Sequence, residues 1–180
     1  FIAFDVGDER VLRSIMEAQD MLRRTGASLK LVDPSNIHVT MKFLGNIPVT
    51  IVDSIYEEMK KIAFEPFKIK IKGLGAFPNI RRINVIWVGI REGAKELREI
   101  STGLESNLQA LGFEPDRKGF SPHLTIARVR TGRGKDDLAK CIEDLADQEF
   151  GVIEAECLKL KKSVLTPKGP IYSLLREVCH

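Results

Sequence analysis

His38-Val39-Thr40-Met41 and, 85 residues later, His123-Leu124-Thr125-Ile126 are the stretches that decide how this chain is read. The sequence holds three histidines, and two of them open these matched tetrads. Thr fills only seven of the 180 positions. A Thr two places after both histidines is then a chance event on the order of one in a hundred or less. Both tetrads lie in apolar, β-prone runs: Ile37–Leu44 stops at Gly45-Asn46, and His123–Val129 follows a loop over Glu114–Ser121. Residues i and i+2 of a strand share a face. His38 and Thr40 should therefore project together, and so should His123 and Thr125. Val39, Met41 and Phe43 should point the other way, as should Leu124 and Ile126. Each strand then carries an imidazole and a hydroxyl over an apolar back.

The same offset relates much of the remaining chain. Phe1–Val6 falls on Ile86–Arg91. A helix opening at Asp8, with Val11, Leu12, Ile15 and Met16 on one stripe and a stop at Thr25-Gly26, falls on Gly93–Leu111, stopped by Gly112. Ser28–Val32 reads as a short strand. A helix follows each tetrad, over 48–62 and 135–146. Phe67–Leu74 and Ile83–Ile90 form a hairpin-like pair around a loop at Gly75–Arg82. Phe150–Val164 contains one long strand, and a turn at Thr166–Pro170 leads to the last, Ile171–Val178. Such pairs call for antiparallel or mixed pairing. The expectation is an α+β fold with pseudo-twofold duplicated sheets, outer helices and a central cleft, with residues 1–180 forming one domain of two lobes.

Composition bounds the function. At 180 residues, 43% apolar and 29% charged, the chain is globular rather than disordered. No apolar run approaches the roughly 18 residues that span a bilayer. A net charge of +3 permits an anionic partner without demanding one. Cys141, Cys157 and Cys179 form no CxxC pair, and an odd, scattered set argues against a disulfide scaffold and a zinc site. Phe1–Val6 is too short for a secretory signal. A reducing cytoplasm is expected.

Histidine titrates near neutral pH, so one imidazole of a pair can hold a proton while the other lacks it. Such a pair can deprotonate an attacking oxygen and protonate a leaving oxygen in one displacement. A phosphodiester suits the gap, its free oxygens accepting from the Thr hydroxyls. Zinc on the same histidines lacks a third ligand beside either. On strict alternation Lys42 shares the His38 face, where it would neutralise phosphate or simply meet solvent. Lys68, Lys70 and Lys72 line one strand face, and Lys159 and Lys161 another. These are the wet sides of sheets or basic tracks for a phosphate-bearing chain. Phe77, Trp87 and Tyr172 are candidates for stacking on a base, Trp87 reading as core and Tyr172 as the better placed.

With these residues in view, the chain resembles the RNA 2′,3′-cyclic phosphodiesterases, or 2′-5′ RNA ligases, of the two-histidine (2H) phosphoesterase superfamily. The resemblance rests on the two tetrads and on flanking strings: Phe1–Asp5, Lys42-Phe43-Leu44-Gly45, Gly75-Ala76-Phe77-Pro78-Asn79, Gly119-Phe120-Ser121-Pro122, Ala127-Arg128 and Gly169-Pro170-Ile171-Tyr172. It implies a bilobal fold whose two sheets flank a cleft, and metal-independent opening of a terminal 2′,3′-cyclic phosphate to a 2′-phosphate. It also implies joining of a cyclic-phosphate end to a 5′-hydroxyl end. It makes His38 the general acid on O3′ and His123 the general base on water, and it places an Arg five residues after the second histidine, here Arg128, which would join Thr40 and Thr125 on the phosphate. Strict alternation puts Arg130, not Arg128, on the His123 side, and only a bulge or strand end reconciles the two. The implied partner is RNA with cyclic-phosphate ends, tRNA fragments among them, met by a monomer with no cofactor and no metal. The other readings are a sister enzyme acting on small cyclic nucleotides or oligonucleotide 3′ ends, and a module that binds RNA or nucleotide without turnover.

Overall fold

In a computed structural model, which describes residues 1–167 and 169–179, the helix begins where Asp8 can cap it. The Asp8 carboxylate accepts from the backbone N–H groups of Arg10 and Val11. Such a cap is worth about 1 kcal/mol. Helix α1 (Glu9–Arg24) then buries Val11, Ile15, Ala18 and Leu22 on one stripe and ends at Thr25, before Gly26 at φ 74°. The other helices, α2 (Val52–Lys60), α3 (Ala94–Gln109) and α4 (Lys135–Asp144), bury similar stripes.

The strands are β1 (Ile2–Asp5), β2 (Leu29–Leu31), β3 (His38–Lys42), β4 (Phe67–Asn79), β5 (Arg82–Ile90), β6 (His123–Val129), β7 (Glu149–Ala155), β8 (Cys157–Thr166) and β9 (Gly169–Cys179). They join in one curled antiparallel sheet of order β7-β4-β5-β6-β3-β1-β8-β9, with β2 also on β6. The centre is thin. One residue pair, Val39 opposite Leu124, joins β3 to β6. Beyond it β6 leaves β3, and β2 fills the fork, pairing Leu29, Lys30 and Leu31 with Val129, Arg128 and Ala127.

This junction is the axis of the expected pseudo-twofold, and the halves cross it. The first-half strands β3 and β1 continue into the second-half strands β8 and β9, while β6 and β5 continue into the first-half strand β4. Helices cross as well: α1 packs on β7 and α4, and α3 on β3 and α2. The sheet's back and the helices enclose one core in which Phe4, Val39, Ile86, Leu104, Leu124 and Leu158 are at most 1% exposed.

Three sequence readings need correction. The expected loop at Gly75–Arg82 is mostly strand, because β4 and β5 stay paired up to Asn79 opposite Arg82. The Asn79 side-chain oxygen accepts from the N–H groups of Arg81 and Arg82, so Ile80 and Arg81 suffice as the turn. The long strand in Phe150–Val164 is two, broken at Glu156, since β7 pairs with β4 and β8 with β1 in opposite lobes. A disulfide also forms, where β8 and β9 set Cys157 opposite Cys179, leaving Cys141 free. Among the described residues no helix is long and apolar enough to cross a membrane.

Candidate active site

The Val39–Leu124 pair fixes how the tetrads meet. In the register that it sets, His38 comes opposite Thr125 and Thr40 opposite His123, on the face away from the buried Val39 and Leu124. The two imidazoles occupy one diagonal of this square and the two hydroxyls the other. All four line one cleft of about 1750 Å³, together with Arg128, Lys161 and Tyr172.

Each imidazole is held the same way. His38 Nδ1 lies 2.7 Å from the Asn36 carbonyl oxygen, and His123 Nδ1 lies 2.7 Å from that of Ser121. A carbonyl only accepts, so Nδ1 carries the proton in both and Nε2 is left for a ligand in the cleft. Burial pushes both histidines below their ordinary pKa. For His38 the Asn36 hydrogen bond and the Asp5 carboxylate pull upward while Lys161 presses down. For His123 the Ser121 hydrogen bond pulls upward and the Arg128 cation presses down.

The surroundings of the two rings differ more than their anchors do. Asp5 stands directly opposite His38 on β1, whereas Gly89 stands opposite His123 on β5. The Asp5 carboxylate accepts from Lys161 at 2.7 Å and Lys159 at 3.2 Å. Burial works against its charge, but these two ammoniums outweigh it and hold its carboxyl below the usual range. Phe1 stacks beside His38 at 4.9 Å and Tyr172 meets it edge-on at 5.4 Å. Phe77 meets His123 edge-on at 4.9 Å, with Trp87 at 6.3 Å. Trp87 is thus half-buried beside His123 rather than core, and its Nε1 is buried without a hydrogen-bond partner among the described residues.

Strict alternation fails at the same place in both tetrad strands. Against β1, Ala3 pairs with Thr40 but Ile2 with Lys42, so Met41 is an extra residue. Against β5, Trp87 pairs with Thr125 but Ile86 with Ala127, so Ile126 is extra. Each bulge reverses the facing of the residues beyond it. Lys42 turns inward, neither to phosphate nor to solvent. It is 7% exposed, bonded to Glu105 at 2.7 Å and to the Glu114 carbonyl at 2.7 Å. Phe43 turns outward to the cleft, where the alternation had it facing the core. In β6 the same reversal brings Arg128 to the cleft lining, the place that alternation gave to Arg130. Buried Gln19 of α1 secures the second bulge, donating to the Ile126 carbonyl at 2.9 Å and the Val32 carbonyl at 2.8 Å.

The two lysine faces are not equivalents. Lys159 and Lys161 join Asp5 beside His38. Lys70 and Lys72 lie toward Glu149 at 3.4 and 4.0 Å, away from the cleft. Sequence reasoning singled out neither Asp5 nor the two anchoring carbonyls. The latter left one trace, the same two-residue spacing before each histidine. Among the described residues, the His, Cys, Asp and Glu group close enough to share an ion is Cys157, Glu177 and Cys179, on the β8–β9 pair and not in the cleft lining.

The family model described as LigT like Phosphoesterase matches this chain twice, over residues 6–87 and 88–172. The division follows the offset between the tetrads. A protein of Aeropyrum pernix named RNA 2′,3′-cyclic phosphodiesterase is 40% identical over 160 residues, 89% of this chain and 91% of its own length. One of the same name from Archaeoglobus fulgidus is 37% identical over 179 residues, 98% of this chain and 97% of its own. The crystal structure of a Thermus thermophilus protein superposes with a TM-score of 0.80 at 26% identity, over 99% of this chain and 96% of its own. The crystal structure of E. coli LigT complexed with 3′-AMP shares the fold, with a TM-score of 0.78 at 18% identity over 99% of this chain and 95% of its own.

Proposed function

This chain belongs to the LigT like phosphoesterase family, and from that premise we propose that it hydrolyses the 2′,3′-cyclic phosphate at RNA ends to a 2′-phosphate. The observation that carries the reading is the square of two imidazoles and two hydroxyls at the β3–β6 junction, with both Nε2 atoms left to the cleft. A cyclic phosphate between the histidines accepts hydrogen bonds from Thr40 and Thr125 on its free oxygens. Arg128 balances its charge. His123 takes a proton from water as the water oxygen bonds to phosphorus. The P–O3′ bond breaks and His38 gives its proton to O3′. The Arg128 cation, which bears on His123, favours the neutral ring that a base needs, while His38 sits among charges of both signs. In this reading Tyr172, which lines the cleft next to His38, stacks on the terminal base.

In this reading the two lobes make one catalytic domain acting as a monomer, since both histidines come from one chain. A 5′-hydroxyl in place of water would give a 2′-5′ linkage, the ligase activity. tRNA fragments with cyclic ends are the substrates of the reading, and the cytoplasm its compartment. The Cys157–Cys179 bond does not forbid that place, because some intracellular proteins keep disulfides. The chemistry needs no metal, so turnover persists in excess EDTA.

The test is hydrolysis of a nucleoside 2′,3′-cyclic phosphate and of a cyclic-ended oligoribonucleotide. His38→Ala and His123→Ala should each lower the rate by roughly 10²–10⁴ with the melting transition kept. A folded variant with a near-normal rate would sink the mechanism. Wild-type binding of the ligand without turnover would favour a non-catalytic module.

A further inference from the structure

Lys30 of β2 lies directly across from Arg128 of β6. Partners in an antiparallel ladder share a face, with Cβ atoms about 5 Å apart, and like charges so placed repel. Both side chains line the cleft. Lys42 is matched by Glu105 and Lys161 by Asp5, but neither Lys30 nor Arg128 has an acidic partner among the described residues. The acids on that wall are engaged elsewhere. Asp33 accepts from the Ser35 N–H and hydroxyl, and Asp20 pairs with Arg23 at 3.0 Å. Two uncompensated cations thus face the cleft side by side.

The pair extends outward from the place of the phosphate between the histidines. Arg128 stands two ladder steps beyond Thr125, because Ile126 is the extra residue of the bulge, about 7 Å along the strand, and Lys30 lies one strand further out, about 4.8 Å. The Arg128 guanidinium, with five donors, can balance the reacting phosphate with one edge and, with the other, meet a second anion further out that it shares with Lys30. An RNA end that carries a 2′,3′-cyclic phosphate offers one there, since the next phosphate of the chain is esterified to the 5′ oxygen of the same nucleotide. Resting on the cyclic-phosphate reading given above, we infer that Lys30 and Arg128 form a second anion subsite for this 5′ phosphodiester. The protein would thereby select chains over single nucleosides.

Two dinucleotides ending in a 2′,3′-cyclic phosphate make the test, one with an ordinary linkage and one with a neutral methylphosphonate. The wild type should turn over the charged dinucleotide with a kcat/KM about tenfold higher, the range for a partly exposed charge-assisted contact. Lys30→Ala should remove most of that difference and Lys30→Arg should keep it. Lys30 is exposed, so both variants should fold. The salt dependence of binding should also flatten in Lys30→Ala, by about 0.7 in log–log slope. Equal losses on both dinucleotides in Lys30→Ala would overturn the subsite, as would a wild type indifferent to the linkage. So would a gain confined to a cyclic mononucleotide bearing a free 5′-phosphate, which would make the site a reader of terminal phosphates. Calorimetric affinities for the matching 2′-phosphate-ended dinucleotides carry the same comparison without turnover. Tight, Lys30-dependent binding with no hydrolysis would sink the activity and keep the subsite.

Discussion

At the scale of residues, Thr40 and Thr125 are where a structural and a chemical reason for one residue type can be told apart. A β-branched residue suits a strand whatever its chemistry, but only a hydroxyl can donate to a phosphate oxygen. Thr→Val keeps the shape and deletes the donor. Each Val variant should lose roughly 10–10³ in kcat/KM on a cyclic nucleotide, about what one donor to a developing oxyanion supplies. The loss should fall in kcat, because the bond strengthens as charge builds on the oxygen. Full activity with an unchanged melt would leave the chemistry to the histidines alone. Proton affinity gives a second expectation. Burial depresses both imidazoles, so each loses its proton at lower pH than an exposed histidine. The limb that frees the base and the limb that strips the acid both move down. The kcat/KM profile of the free protein should be a bell with its maximum on the acid side of about 6.5. A rate that climbs steadily through alkaline pH would contradict it. The histidines and threonines were legible because side-chain identity and spacing carry them. The fates of Lys42 and Arg128 were not, since the Met41 and Ile126 bulges depend on how β3 meets β1 and how β6 meets β5.

Elements show the same division between what is local and what is paired from afar. Helix α1 could be read to within a residue, because its cap and apolar stripe are local. Strand β4 could not be followed past Leu74, because glycine and proline usually punctuate. Here Trp87 lies across Gly75, where a Cβ would collide with the indole, so the glycine serves close packing inside the ladder instead of ending it. The β8–β9 ladder sets Cys157 against Cys179, a pairing that no cysteine count reveals. The bridge closes a loop with a sequence separation of 22. Such a constraint is worth about 3 kcal/mol through the unfolded chain. Reduction should lower the melting temperature by roughly 6–12 °C in a domain of this size. Calorimetry with and without reductant measures it, and an unchanged transition would show that the bond does not hold the edge of the sheet.

Over the whole molecule, the repeat was visible in sequence but its crossing was not. An offset relates segments along the chain, whereas the sheet order depends on which edges remain unpaired once β1–β3 and β5–β6 have formed. The answer is an exchange, with β4 completing the second-half lobe and β8 the first. Neither half then contains a complete lobe. A fragment of residues 1–81, expressed alone, should show no cooperative melt, because β1 lacks β8 and β4 lacks β5 and β7. A sharp two-state transition in that fragment would refute the dependence. The exchange also bears on how two matched imidazoles come to differ. Two separate copies of one half, trading their last strands, would make a symmetric dimer with two indistinguishable imidazoles. Symmetry would then give both the same hold on a proton. Covalent linkage in tandem lifts that restriction, because each half can change alone. Asp5 faces His38 where Gly89 faces His123, and Phe43 stands where the other half has Arg128. A duplicated chain is thus free to give its two equivalent cleft-facing rings opposite assignments, one donating and one receiving, which a strictly twofold assembly of identical parts cannot do at rest.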